Sequence, residues 1–218
     1  MTFSLRQKIL AEFIGTYFLV LTVVGSGIMG ELMSNDLGII LLGNTIATGA
    51  ILYVIISMFI NISGAYFNPA VVLSDIIQKN IPVNYGIIFI FTQIIAGIFG
   101  CLTANWYFEY PIIEWSLNER VGVFKFFSEI IATVGLLLTI FILKEVNKDR
   151  IAIGVALFIT AGYWFTSSTS FANPAVTIGR MFTDSFSGIS PSSVLGFILA
   201  QIIGALIATI IVRLFFKN

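Results

Sequence analysis

Apolar and polar positions fall in long blocks along this chain. Predominantly apolar runs occupy approximately residues 9–30, 38–60, 82–106, 124–143, 151–169 and 191–216. A bilayer-spanning helix needs about 20 mostly apolar residues, so the pattern predicts six spans. The runs are rich in Ile, Leu and Phe and lack the alternation of a barrel strand. The first run is too long for a cleavable signal and carries Glu12 near its start. An all-α membrane protein follows.

Two connections break the pattern. Residues 61–81 and 170–190 each contain Asn-Pro-Ala, at Asn68-Pro69-Ala70 and Asn173-Pro174-Ala175, followed by a short helix-compatible run. About 10 residues give about 15 Å of helix, half a membrane. Short proline-interrupted segments in matching halves predict two discontinuous, re-entrant half-helices that meet near the midplane.

The halves correspond elsewhere too. Ala11-Glu12-Phe13-Ile14-Gly15-Thr16 is echoed by Ser128-Glu129-Ile130-Ile131-Ala132-Thr133, and Gln93-Ile94-Ile95-Ala96-Gly97 by Gln201-Ile202-Ile203-Gly204-Ala205. Three spans per copy is an odd number, so the copies must be inverted in the bilayer. The chain reads as one membrane domain over 1–218, with repeats at about 1–106 and 124–218 and an outer loop at 107–123.

Charge adds an orientation. Arg6, Lys8, Lys79, Lys144, Lys148, Arg150, Arg213 and Lys217 fall on the side of the N-terminus, against Arg120, Lys125 and Arg180 on the other. The positive-inside rule then puts both termini in the cytoplasm of a multi-pass protein of the inner (plasma) membrane. Composition narrows the chemistry. Eleven basic residues balance eleven acidic ones, there is no His, and there is one Cys. Nothing suggests a nucleic-acid partner, a metal site, a cofactor or an enzyme.

Asn before Pro suits a helix start: Asn caps, and Pro is favoured at the first helical position. The capping asparagine still has an amide NH2 to offer a solute. Two half-helices meeting by their N-termini place about +0.5 charge each at mid-membrane. Such a centre refuses cations while donating hydrogen bonds to a neutral hydroxylic solute. Intramembrane Glu12 and Glu129 are either a proton relay or acceptors for the backbone of the re-entrant loops, and the second reading is favoured because no His or second acid continues a relay. Gln93 and Gln201 fit the same supporting role. Ala96 and Gly100, and likewise Ala200, Gly204 and Ala208, recur at four-residue spacing and suit close helix packing. Trp106 and Trp115 suit interfacial anchoring, and Cys101 a small core position.

Two Asn-Pro-Ala motifs in duplicated three-span halves resemble the aquaporin (major intrinsic protein) family over essentially the whole chain. The resemblance implies an aquaporin-like bundle of six helices and two half-helices, a homotetramer in the lipid bilayer, and passive passage of small neutral solutes. Carried over by motif spacing, the family's constriction falls on Thr48, Ala161, Ser170 and Val176, with Gly162 the alternative to Ala161. Water-selective members have a His and an Arg in this ring, and glycerol-conducting members keep the Arg. Here Val176 stands in place of the Arg, and Tyr66 where a His often precedes the first motif. A ring of Thr, Ala, Ser and Val is expected to be wide and uncharged. Arg180, one turn beyond Val176 on about the same face, either restores positive charge at the outer mouth or is a solvated helix-end residue.

The stretch Tyr163–Thr177 resembles the bacterial branch associated with arsenic-resistance genes, which also replaces the filter Arg by an aliphatic residue. That resemblance implies passage of neutral arsenicals beside water and glycerol-like polyols. The alternatives are a water- or glycerol-selective channel with an unusual filter, a proton-coupled secondary transporter, and a membrane interaction protein with a closed pore.

Overall fold

A computed structural model describes residues 2–216, and Lys217 lies outside them. Among the described residues there are eight α-helices and no strands. They are α1 (Leu5–Met33), α2 (Leu37–Phe59), α3 (Pro69–Ile77), α4 (Val83–Tyr107), α5 (Val123–Val146), α6 (Ile151–Phe165), α7 (Pro174–Gly179) and α8 (Pro191–Phe216). The 3-10 turns Lys148–Arg150 and Arg180–Phe182 lead into α6 and out of α7.

Local chemistry sets the helix starts. Ser4 and Gln7 form a reciprocal capping box on α1, and the Asp36 carboxylate accepts from the first N–H groups of α2. At α3 and α7 the caps are Asn68 and Asn173, each followed by Pro in the first turn.

Helices α1, α2, α4, α5 and α8 are each long and apolar enough to cross a membrane. Helix α6 is shorter than the expected 151–169 span: its 15 residues give about 22 Å. It stops where Thr166-Ser167-Ser168-Thr169-Ser170 begins, because Ser and Thr hydroxyls compete for the backbone. The Thr166 hydroxyl donates to the Gly162 carbonyl at 2.6 Å, and Thr169 and Ser170 have positive φ. The second half-helix is likewise shorter than the first, six residues against nine.

Helix α1 packs on α4 and α2, helix α5 on α8 and α6, and α2 against α6 joins the halves. The long helices approach backbone to backbone. A Cβ on Gly100 would sit 2.5 Å from the Tyr17 carbonyl oxygen, and one on Gly204 2.8 Å from that of Ile130. Exposed apolar residues keep helical spacing, as at Phe91, Ile95 and Phe99 on α4. That is the face a lipid-embedded bundle presents. Inside, Val20, Val24, Ala104, Leu137 and Ala205 belong to the main core.

Candidate functional site

The two Asn-Pro-Ala loops meet inside the bundle and hold each other. The Asn68 Oδ1 accepts from the Ala70 N–H at 2.9 Å, and the Asn173 Oδ1 from the Ala175 N–H at 2.9 Å. Each amide also donates across the junction. Asn68 Nδ2 reaches the Ala172 carbonyl at 2.7 Å, and Asn173 Nδ2 reaches the Phe67 carbonyl at 2.8 Å. One N–H of each amide is thereby committed to the opposite loop, and the second remains to be offered to a solute.

These contacts need unusual backbone. Phe67 and Ala172, the residues before the two asparagines, have φ of 49° and 47°. Ala65 and Ser170, two positions earlier in each loop, have φ of 50°. Non-glycine residues held there cost of the order of 1–3 kcal/mol each and persist only where their surroundings over-determine them.

The carboxylates of Glu12 and Glu129 do part of that holding. Glu12 is fully buried and accepts from the Tyr66 and Phe67 N–H groups at 3.0 and 2.8 Å, from the Ser63 hydroxyl, and from Gln93 Nε2 at 2.8 Å. Glu129, equally buried, accepts from the Ala172 N–H and from Gln201 Nε2 at 3.0 Å. Gln201 Nε2 also donates to the Thr177 hydroxyl on α7 at 2.8 Å. Pro69, Ala70, Pro174 and Ala175 are buried where the half-helices begin.

A cavity of about 550 Å³ runs past both asparagines. Its wall contains Thr48, Tyr163, Ser170, Val176 and Arg180, and also Tyr66, Asp75, Lys144 and Lys148. Leu19, Val23, Leu52, Ile56 and Val155 supply apolar wall.

Three of the four expected constriction residues therefore share the cavity. Ala161 does not: it is exposed on α6, and Tyr163 lines the wall instead. Two residues turn a helix by about 200°, so Ala161 and Tyr163 face opposite ways. The alternative, Gly162, backs onto Ser170, whose Oγ would lie 2.6 Å from a Cβ there. Counting back from Asn173 fails because the count crosses the irregular 166–172 loop. The available signal was the i, i+4 pair Ile159 and Tyr163, both of which line the cavity. The cavity wall beside Thr48 is thus not built of small side chains alone.

Arg180 is not solvated. It is 2% exposed, its Nε donates to the Ser187 carbonyl, and its guanidinium carbon lies 3.5 Å from the Phe171 ring centroid. Arg120, from the 108–122 connection, stacks at 5.0 Å on the same ring and donates to the Gly188 and Phe186 carbonyls at 2.9 and 3.3 Å. Burial lowers the Arg120 pKa from its ordinary value, opposed by Tyr163 and Glu129. Trp106 and Trp115 are exposed, Trp115 lying 5.0 Å from the Phe182 ring, and Cys101 is buried. Among the described residues no cluster of His, Cys, Asp and Glu could hold a metal.

The comparisons agree with this geometry. The family model described as major intrinsic protein matches residues 1–150 and 144–218. The chain is 40% identical over 211 residues to aquaglyceroporin AqpS of Rhizobium meliloti (strain 1021), covering 97% of this chain and 91% of that protein. It is 33% identical over 183 residues to a probable TIP-type aquaporin of Medicago truncatula, covering 78% and 72%. The fold is similar to the solved aquaglyceroporin of Plasmodium falciparum, with a TM-score of 0.73 at 21% identity over 94% of each chain. With these matches spanning its length, the chain belongs to the major intrinsic protein family of membrane channels.

Proposed function

We propose that the chain is a passive channel for small neutral hydroxylated solutes, water and glycerol-like polyols among them, with neutral arsenicals as a further cargo. The observation that carries this reading is the cavity past Asn68 and Asn173, whose wall is mostly apolar with a few polar groups. A neutral solute exchanges water for amide and hydroxyl partners there, while an ion finds too few to replace its hydration shell. The name aquaglyceroporin, carried by the relative from Rhizobium meliloti, supports the polyol part. The arsenical part rests on the resemblance of Tyr163–Thr177 to the arsenic-associated branch and on Val176 in place of the filter Arg.

In this reading Thr48, Tyr163, Ser170 and Val176 form the constriction. Arg180 supplies positive charge one turn further along, fixed by Ser187 and Phe171. Glu12, Glu129, Gln93 and Gln201 hold the loops. The chain works as one domain of two inverted repeats, about 1–106 and 124–218 joined by 107–123. It sits with both termini in the cytoplasm, in a tetramer with one pathway per subunit.

Stopped-flow light scattering on proteoliposomes tests the reading. Glycerol and arsenous acid should enter faster than in protein-free vesicles, without a proton gradient. Fast water flux with no uptake of either solute would overturn it in favour of a water-selective channel. Uptake that collapses with the proton gradient would favour a coupled transporter.

A further inference from the structure

Opposite charges stand at equivalent places in the two repeats, one within α3 and one just past the end of α7. Asp75 stands seven residues after Asn68, and Arg180 seven after Asn173. Both are buried and both line the cavity, and because the half-helices meet by their N-terminal loops each lies away from that junction along its own half-helix. Their surroundings differ in one respect. Arg180 is held by a carbonyl and an aromatic ring, which leaves its charge uncancelled. Asp75 is met by a cation: Lys144, from the last turn of α5, donates to Oδ2 at 2.9 Å and Oδ1 at 3.3 Å.

Asp75 is fixed from three sides. Tyr66 Oη donates to Oδ2 at 2.9 Å and Asn80 Nδ2 to Oδ1 at 2.7 Å, both from segments flanking α3. Its side chain is 2% exposed, against 33% for Lys144. Lys144 Nζ also lies 5.7 Å from the Phe141 ring centroid, and Phe141 lines the same wall. The other charged residues lining the cavity here are Lys148 and Asp149, which offset one another, and Arg213 of α8 donates to the Ile77 carbonyl at the end of α3 at 2.7 Å.

Asp75 sits near the C-terminus of its half-helix, where the helix dipole is negative. Carboxylate and dipole have the same sign, and Arg213 at the Ile77 carbonyl meets the dipole but not the carboxylate. Unopposed, the carboxylate would make this end of a low-dielectric passage a cation trap, since clefts lined by one sign of charge concentrate counter-ions. The positive charge of Arg180 follows the other half-helix and lies away from this end.

We propose that Lys144 is a specificity-determining residue: its ammonium cancels the Asp75 carboxylate on the pathway wall and so keeps cations out of a channel for neutral solutes. The inference rests on the channel reading above. It assigns the ion pair to selectivity, with Tyr66 and Asn80 positioning the carboxylate.

The test uses the full chain in liposomes, with glycerol flux by light scattering and Na+ entry by an internal Na+-sensitive dye. Lys144→Gln should pass glycerol and raise Na+ entry about tenfold or more over wild type. Lys144→Arg and the double variant Asp75→Asn/Lys144→Gln should return Na+ entry to the wild-type level. Were Lys144→Gln not to assemble, acetic anhydride treatment of reconstituted wild type should raise Na+ entry, with Lys144→Arg resisting. Lys144→Gln that passes glycerol with wild-type Na+ entry overturns the inference and leaves the channel reading standing. So does an equal response of wild type and Lys144→Arg to acetylation. A wild-type chain that passes no glycerol overturns the channel reading, and the role of Lys144 with it.

Discussion

The hydroxyls of Thr48 and Tyr163 lie 3.1 Å apart, tying α2 to α6 beside the cavity. Thr48 Oγ1 also donates to the Asn44 carbonyl at 2.8 Å, so in the shared contact the phenol is the donor. The Tyr163 ring is thereby held on the pathway side of α6. Tyr163→Ala should widen the passage and raise uptake of the larger solutes several-fold relative to water. Tyr163→Phe keeps the ring and should cost only about 1 kcal/mol of stability. Ala161→Phe, on the exposed face two residues away, should leave flux unchanged. Stopped-flow ratios of glycerol to water permeability decide the matter, and a block by Ala161→Phe would mean that α6 is rotated in the membrane.

Val176 on α7 and Arg180 in the 3-10 turn that follows stand four residues apart, and both line the cavity. Val176→Arg should reduce polyol and arsenite uptake by about tenfold or more, the 10-fold step that ~1.4 kcal/mol of added barrier produces, with a smaller effect on water. Arg180 already supplies positive charge within reach, so the second guanidinium meets like-charge repulsion and the variant should also be less stable. Val176→Met adds bulk without charge and separates the two effects. If Met reproduces the block at wild-type stability, sterics alone govern that level.

What the sequence made legible here is what local chemistry dictates. Asn before Pro caps a helix wherever it occurs, and a buried Glu near a non-helical loop has few partners other than that loop's N–H groups. Matching positions in two repeats mark Gln93 and Gln201 as loop supports, and the fold brings them to Glu12 and Glu129. Placement failed where irregular backbone intervened. The end of α6 depends on a Ser/Thr run, and the Ala161 position was counted across the 166–172 loop with its left-handed residues. Contacts that depend on the closed fold were not legible at all. The burial of Arg180 requires the Ser187 carbonyl and the Phe171 ring, and Lys144 meets Asp75 from the opposite repeat.

Glu12→Gln and Glu129→Gln distinguish loop support from proton relay. In Glu12 both oxygens accept, from Ser63 and Tyr66 on one and from Phe67 and Gln93 on the other. A glutamine turns one of these oxygens into a donor facing donors, which leaves buried groups unsatisfied at about 1–3 kcal/mol each. Glu12→Gln should melt at lower temperature, and Glu129→Gln by less because Ala172 and Gln201 both donate to the same oxygen, which an amide can keep. Both should lose solute flux only in proportion to folded protein, with no dependence on the proton gradient before or after substitution. A variant that folds like wild type but loses only gradient-driven uptake would identify a relay.

Gly100 and Gly204 occupy matching crossings, α1 on α4 and α5 on α8. At Gly100 an added methyl would meet the Tyr17 carbonyl oxygen at 2.5 Å and the Leu21 nitrogen at 2.9 Å; at Gly204 it would meet the Ile130 carbonyl oxygen and the Thr133 Cβ, each at 2.8 Å. Three of these four neighbours are backbone, so relief requires the helices to separate. In a soluble core such overpacking costs about 1–3 kcal/mol, and within a bilayer close packing is a main source of helix association. Gly100→Ala and Gly204→Ala should therefore each lower the thermal midpoint of the detergent-solubilised protein, Gly100→Ala by more because both its nearest contacts are backbone. Their additivity checks the geometry further. The crossings lie in different helix pairs, so the double variant should lose about the sum of the single losses. A markedly smaller combined loss would mean that relaxing one crossing relaxes the other, through the half-helices that both pairs enclose.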